Sequence, residues 1–272
     1  MKDKIKVVTE PQVFLIGDQS IDHVELDRFF EGVMAGEMFP LTGMSESEVI
    51  VELAGRLCYM SFKKPRPGGN KAYLKHILEV GHGSVLEHAV YSMIITGVSR
   101  SLTHEFIRHR AGFGYSELSQ RYVNMEDVSF VVPPALFPAF GSFPLSEQKS
   151  MDNFRKARKD WEKSCIESLN AYSSIVNLLT SSSNDDASTM KNKRIREAAR
   201  SVLPNCTETK IFVTGNARAW RHFIELRADV NADVEIQRLA ILICRTLAEH
   251  SPHMFEDIEI EKDGVKSINK KV

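Results

Sequence analysis

Apolar residues recur at helical spacing in several stretches of the chain. Ser45 followed by Glu48 is a capping-box signature, and Ile50, Leu53, Ala54, Leu57 and Cys58 then fall three or four residues apart, which predicts a helix running to about Met60 with a core-facing stripe. Tyr73, Leu74, Ile77 and Leu78 share one face of a second helix over residues 71–80, and Gly81 stands where such a helix ends in a left-handed residue. The chain then turns through His82, Gly83 and Ser84. Residues 89–98 are rich in β-formers, with Tyr91, Met93 and Ile95 to one side and Val90, Ile94 and Val98 to the other, so a central strand buried on both faces is expected.

Beyond Ser99 a helix is expected up to Arg110, with Leu102, Phe106 and His109 on one face, ending near Gly112 and Gly114. Phe154, Ala157, Trp161, Cys165, Leu169, Tyr172, Val176 and Leu179 form a stripe that demands one long helix, packed either within the chain or against another subunit. A helix over about 194–203 stopped by Pro204, a strand near 211–214, and helices after Asn216 and after Ala232 complete the pattern. Strands and helices do not alternate regularly, so the fold class is α+β, with a central sheet flanked by long helices in a single mixed domain. No linker or internal repeat divides the 272 residues. Residues 181–186 read as a loop, residues 1–261 as the domain, and residues 262–272 as a frayed polar tail.

With 35 Lys+Arg against 36 Asp+Glu, the formal charge is −1, which leaves no basic surplus for unspecific attachment to nucleic acid or an anionic membrane. Any anion site must therefore be local. The longest uncharged stretch, residues 129–146, is broken by Pro133, Pro134, Pro138 and Pro144, and the start of the chain leads into no apolar signal core. A cytoplasmic protein with no nucleic-acid and no membrane partner is expected. The four cysteines form no C-x-x-C pair, which argues against a disulfide framework and a thiolate zinc site, and no metal is expected. Cys58, Cys165 and Cys244 lie on apolar stripes and read as core, whereas Cys206, in the turn after Pro204, has no such reading.

The densest polar segment runs from Arg108 to Tyr122 and gathers three Arg, a His, a Glu and two Ser around glycines. Arg offers planar, permanently charged forks that suit phosphate, Gly permits close backbone approach, and Ser adds hydroxyl donors, so a phosphorylated small molecule is the natural guest. The alternative for an arbitrary Arg cluster is a solvated helix end. Here the order of residues is more particular. Arg108-His109-Arg110 followed by Glu117-Leu118-Ser119-Gln120-Arg121-Tyr122 resembles the signature of the flavin-dependent thymidylate synthases. Residues 82–88, 199–204, 214–218 and 226–229 resemble further segments of that family in the same order, and together they cover about residues 55–255. One departure stands out: eight residues, 111–118, separate the triplet from Ser119 where the family has seven, and the glycines at 112 and 114 offer a turn able to absorb the extra one.

The resemblance implies reductive methylation of dUMP to dTMP, with methylenetetrahydrofolate as the one-carbon co-substrate, reduced FAD as hydride donor and NADPH as reductant, in a homotetramer. It implies that Ser119, Arg121 and Arg200 hold the nucleotide phosphate, with Glu105, Arg108, Glu117, Leu118 and Gln120 in the same site. Arg227 would contact a uracil carbonyl and act catalytically by favouring ionisation of the ring. Its bland alternative is an ion pair with Asp229 or Glu225, and that of Arg200 is a surface salt bridge. FAD would be held by Ser84, Glu87, Arg108, His109, Arg110, Asn216, Ala217, Arg218 and His222, supplied by different subunits. His82 is either a neighbour of flavin and folate or only a helix cap. No G-x-G-x-x-G fingerprint occurs, so the flavin site is not of Rossmann type. A thymidylate synthase that attacks uracil through a thiolate usually presents that Cys after a Pro, and no Cys here follows one. Two other readings remain: a C5-methylase acting on UMP, and a colourless nucleotide or RNA binder, which the net charge disfavours.

Overall fold

The computed structural model describes residues 3–36, 39–136, 148–181, 189–262, 264–270 and 272. In chain order the first half contains β1 (Lys6–Val8), β2 (Gln12–Gly17), α1 (His23–Val33), α2 (Glu46–Tyr59), α3 (Gly69–Val80), β3 (Val90–Ser99), α4 (Arg100–Phe106), β4 (Phe113–Glu117) and β5 (Ser129–Val131). The second half contains α5 (Gln148–Ser181), α6 (Thr189–Ala199), β6 (Glu208–Asn216), α7 (Ala217–Arg227), α8 (Val234–His250), α9 (Pro252–Phe255), β7 (Ile258–Glu261) and β8 (Gly264–Ser267). Helices thus accompany small sheets without βα alternation, which is the α+β class expected. The chain forms two compact units, residues 1–11, 95–107 and 116–211 in the first and residues 12–94, 108–115 and 212–272 in the second. Three of the five divisions fall inside strands, β3, β4 and β6.

The strands β2, β3, β6 and β4 follow one another across a four-stranded sheet. Four helices of the second unit begin where the sequence supplies an acceptor for orphan N–H groups: Asp22 for α1, Ser45 with the reciprocal Glu48 for α2, Asn216 for α7 and Asp233 for α8. Gly81 ends α3 in the left-handed conformation, as expected. Tyr91, Met93, Val213, Trp220, Phe223, Leu239 and Ile243 are buried in its core. A satellite cluster joins Phe30, Met34, Phe39 and Phe62. In the first unit β1 pairs in parallel with β5. There the long helix α5 buries Cys165 and Leu169 against Phe130, and Tyr172 against Met125 and Ala199. The stripe is therefore covered within the chain at its middle, while Leu179 near its end is exposed. Among the described residues no helix is long and apolar enough to cross a membrane.

The structure departs from the sequence reading at several points. The helix after Ser99 stops at Phe106, so His109 lies beyond it and not on its face. In β3 the alternation holds up to Thr96 and then fails: Gly97 adopts φ 69°, where a Cβ would stand 2.4 Å from the Glu10 carbonyl oxygen, and Gly97, Val98 and Ser99 are all buried. The outward Val90 and Ile94 are half-buried, so β3 is not covered equally on both faces. The helix expected over 194–203 begins earlier, at Thr189, and ends at Ala199, after which Arg200–Val202 tightens into one 3-10 turn. The expected stripe of α2 is not its buried face: Leu57 and Cys58 are exposed and Ile50, Leu53 and Ala54 half-buried, while Val51, Glu52, Gly55 and Arg56 are buried, because the Glu52–Arg56 ion pair lets the polar side of the helix turn inward. Cys206 is half-buried beside Cys165, with sulfurs 3.6 Å apart, and packs on the Phe130 cluster. The tail is not frayed throughout: β8 pairs antiparallel with β7, Ile258 opposite Ser267, because its backbone completes a hairpin whatever the polarity of its side chains. Ser181 closes α5, whereas residues 182–186 of the expected loop and 137–146 of the uncharged stretch lie outside the described residues.

Candidate functional site

In the second unit the Arg108-His109-Arg110 triplet is set by a turn. The Tyr115 hydroxyl donates to the His109 carbonyl at 2.6 Å, and the Phe113 N–H donates to the Arg110 carbonyl at 3.3 Å, which closes a β-turn with Gly112 at its third position. Gly112 adopts φ 76°, as that position of a type II turn requires. A Cβ on it would stand 2.8 Å from both Ala219 Cβ and Asn216 Nδ2, while its carbonyl accepts the Asn216 N–H at 3.1 Å. Gly114, expected in the turn, lies inside β4. The turn is thus confined at Gly112 and not a permissive tip.

Asn216 caps α7, its Oδ1 accepting the Ala219 N–H at 2.8 Å. From that fixed start, helical spacing puts Arg218, His222 and Leu226 on the exposed face, with Trp220, Phe223 and Ile224 buried behind them. Arg218 donates to Glu87 at 2.6 Å. Glu87 and Ser84 are exposed on the short 3-10 helix Gly83–His88. His82 precedes that helix, is exposed and gives it no side-chain cap, while its backbone N–H donates to the Ile77 carbonyl at 3.0 Å and closes the end of α3, so its cap role is made by the backbone and leaves the imidazole out of it. Ala217 is buried and its N–H is bonded to the Ala89 carbonyl, so of the expected flavin contacts it is the one whose side chain and N–H are both committed elsewhere.

Two adjoining clefts open on this surface. One, of about 290 Å³, is lined by Glu87, Gly112, Asn216 and Arg218; the other, of about 470 Å³, by Arg108, His109, Arg110, Phe113, Leu226 and Arg227. Ala111, Ala219 and His222 line both. No Cys lines either, and burial raises the Cys244 pKa to about 11. The contact with Cys206, and then burial, raise that of Cys165. Arg227, the last residue of α7, donates from Nε to His109 Nε2 at 2.9 Å. The Asp229 carboxylate is instead bonded by the N–H and side-chain amide of Asn231, which hold its pKa below the usual value. Burial first, then Arg227, His222 and Arg108, lower the His109 pKa to about 4.

The remaining candidates, Glu105, Glu117, Leu118, Ser119, Gln120, Arg121 and Arg200, belong to the first unit. Glu117 accepts the Thr103 hydroxyl at 3.0 Å and pairs with Arg100 at 3.2 Å. The Ser119 carbonyl accepts the N–H groups of Tyr122 and Val123, so Ser119 and Arg121 sit on one tight turn. Gln120 is buried, and Leu118 packs on the Met125 and Tyr172 cluster. Arg121 pairs with Glu197 of α6 at 2.7 Å, while its buried Nε has no hydrogen-bond partner among the described residues. Arg200 follows Glu197 by one turn and makes no ion pair among the described residues, so the salt-bridge alternative for it is not seen. Sequence reasoning missed Phe113 and Tyr115. Their alternation about Gly114 is the strand signal of β4, masked by the charged residues on either side.

The family model for the thymidylate synthase complementing protein matches residues 41–253. A flavin-dependent thymidylate synthase of Mycobacterium avium (strain 104) is 47% identical over 213 residues, 78% of this chain and 79% of that protein. One from Mycolicibacterium gilvum (strain PYR-GCK) is 48% identical over 214 residues, 78% and 79% of the two chains. A solved structure described as a UMP/dUMP methylase, PolB from Streptomyces cacaoi, bound with 5-Br dUMP, shares the fold, with TM-score 0.62 at 19% identity over 93% of this chain and 96% of the other.

Proposed function

The chain belongs to the thymidylate synthase complementing protein family, among whose members its relatives are named flavin-dependent thymidylate synthases, and from this premise we propose that it binds FAD and methylates dUMP at C5 to give dTMP. The observation that supports this reading most is the pair of adjoining clefts. Four arginines, Arg108, Arg110, Arg218 and Arg227, line them beside a capped helix start at Asn216, and no thiol does. Permanent cations at a helix N-terminus fit the diphosphate of FAD. The donor set suits that group: Arg108, Arg110 and Arg218 line the clefts, and Gly112, whose Cβ position is taken up by Asn216 and Ala219, lets the turn pack directly on the start of α7.

Ser84, Glu87, Arg108, His109, Arg110, Asn216, Arg218 and His222 would hold the flavin, with Ala217 contributing through the placement of the helix start. Bound and reduced by NADPH, FAD would supply the hydride that completes the methyl group from methylenetetrahydrofolate. The chain's own part is binding and ring activation. Ser119, Arg121 and Arg200 would take the nucleotide phosphate, with Glu105, Arg108, Glu117, Leu118 and Gln120 in the same site. Arg227 would face a uracil carbonyl, where a guanidinium that never loses its charge stabilises the oxygen anion formed as N3 ionises and so raises electron density at C5. Different subunits of a homotetramer would complete each site, with one catalytic domain in each that includes the β7–β8 hairpin, and the cytoplasm would be its place of work. The test is direct. FAD titration followed by visible absorbance should show binding, and NADPH with methylenetetrahydrofolate should convert dUMP to dTMP, with UMP run in parallel; no flavin binding and no product would overturn the reading.

A further inference from the structure

We propose that His109, as a neutral imidazole with its proton on Nδ1, is the residue that positions Arg227. The inference rests on the reading of Arg227 as the group that activates the uracil ring. An arginine Nε–H can only donate, so a bond of 2.9 Å to His109 Nε2 requires a lone pair at that nitrogen and places the ring proton on Nδ1. With Nε held, the plane of the guanidinium and the direction of its two terminal nitrogens are held as well. The support behind His109 is rigid. Its carbonyl is tied to the Tyr115 hydroxyl at 2.6 Å, and its ring lies edge-on to buried Phe223, with centroids 5.2 Å apart.

The charges around the ring keep it in the accepting state. Arg108 on its own segment and His222 and Arg227 on α7 are all basic, and with burial they lower its pKa to about 4. Protonation would turn the acceptor into a second donor and set an imidazolium against a guanidinium. Arg227 would then lose its anchor. Misplacing a catalytic group by about 1 Å can cost on the order of 100-fold in rate.

The test separates this inference from the flavoenzyme reading. In 15N-labelled wild-type protein, long-range proton–nitrogen correlation of the His109 ring, assigned by its loss in His109→Gln, should report the Nδ1–H tautomer, and Arg227→Ala should move its titration up toward the ordinary histidine range. At saturating FAD, His109→Leu should lower kcat for dUMP roughly 100-fold with KM changed little, and His109→Gln, whose amide oxygen can accept, should regain about 10-fold of that loss. An Nε2–H tautomer in the wild type, or equal losses in the Leu and Gln variants, would overturn it. The tautomer is read without turnover, so a protein that makes no dTMP refutes the proposed function while the ring signal still decides this one.

Discussion

Replacing Gly112 by Ala should destabilise the second unit and loosen the flavin clefts, although the change adds only one methyl group. At φ 76° an L-residue costs about 1–2 kcal/mol relative to Gly. The new Cβ would also stand 2.8 Å from Ala219 Cβ, which moves only with its helix, and from Asn216 Nδ2, whose amide is pinned by its capping bond to the Ala219 N–H. Ala219 belongs to the first turn of α7, and Asn216 caps that turn, so relief of the overlap must move the helix start or break the cap, for about another 1–2 kcal/mol. The sum, roughly 2–4 kcal/mol, corresponds to a melting temperature lower by about 10 °C in a protein of this size. Thermal unfolding followed by circular dichroism, with and without FAD, measures it, and Asn216→Ala supplies the cap term alone. A Gly112→Ala variant that melts within about 2 °C of wild type and binds FAD equally well would refute the argument, since it would mean the turn accepts a side chain after all.

Arg227→Ala should lose roughly 100-fold or more in turnover while still binding FAD, because its role is charge stabilisation at the ring; single-turnover rates beside a flavin titration check both halves. Replacing all four cysteines by Ser or Ala should leave dUMP methylation measurable on folded protein, since no thiol lines the clefts and burial raises the pKa of Cys244; a folded but wholly inactive variant would revive a thiolate mechanism. The depressed pKa of His109 also ties stability to pH. Between its ordinary value near 6.5 and about 4 the unfolded chain binds a proton that the folded one refuses, so stability is complete above that window and falls with pH through it. Melting temperatures of the flavin-free protein from pH 7 to pH 4 should therefore decline more steeply for wild type than for His109→Gln, and parallel slopes would contradict the assignment.

What was legible in the sequence followed from local rules. The capping box at Ser45, the left-handed Gly81, the cap at Asn216 and the unbroken stripe of α5 each depend on residues a few positions apart, and each is found where the pattern put it. Errors arose where the deciding contact is distant in sequence. Gly97 breaks the alternation of β3 because the chain at Glu10 passes against it, and the polar residues of β8 form a strand because β7 offers them a partner. No window of neighbouring residues contains either fact.

The same division explains the site. Its basic residues could be named from the order of the motif, yet the motif gives no hint of how they are held apart at neutral pH. A helix continued to Arg110 would have put His109 on the face of Leu102 and Phe106, as a core histidine. Instead α4 stops, the Tyr115 hydroxyl takes the His109 carbonyl, and the ring comes to rest on α7, more than a hundred residues later, against Phe223 and Arg227. Gathering Arg108, His222 and Arg227 about one imidazole would be repulsive if the imidazole were charged. Burial removes that charge, and the uncharged ring becomes an acceptor that can order a cation among cations. The spacing of the motif, with its added residue and its glycine at 112, therefore matters less as a length of loop than as the means by which a neutral histidine reaches a guanidinium.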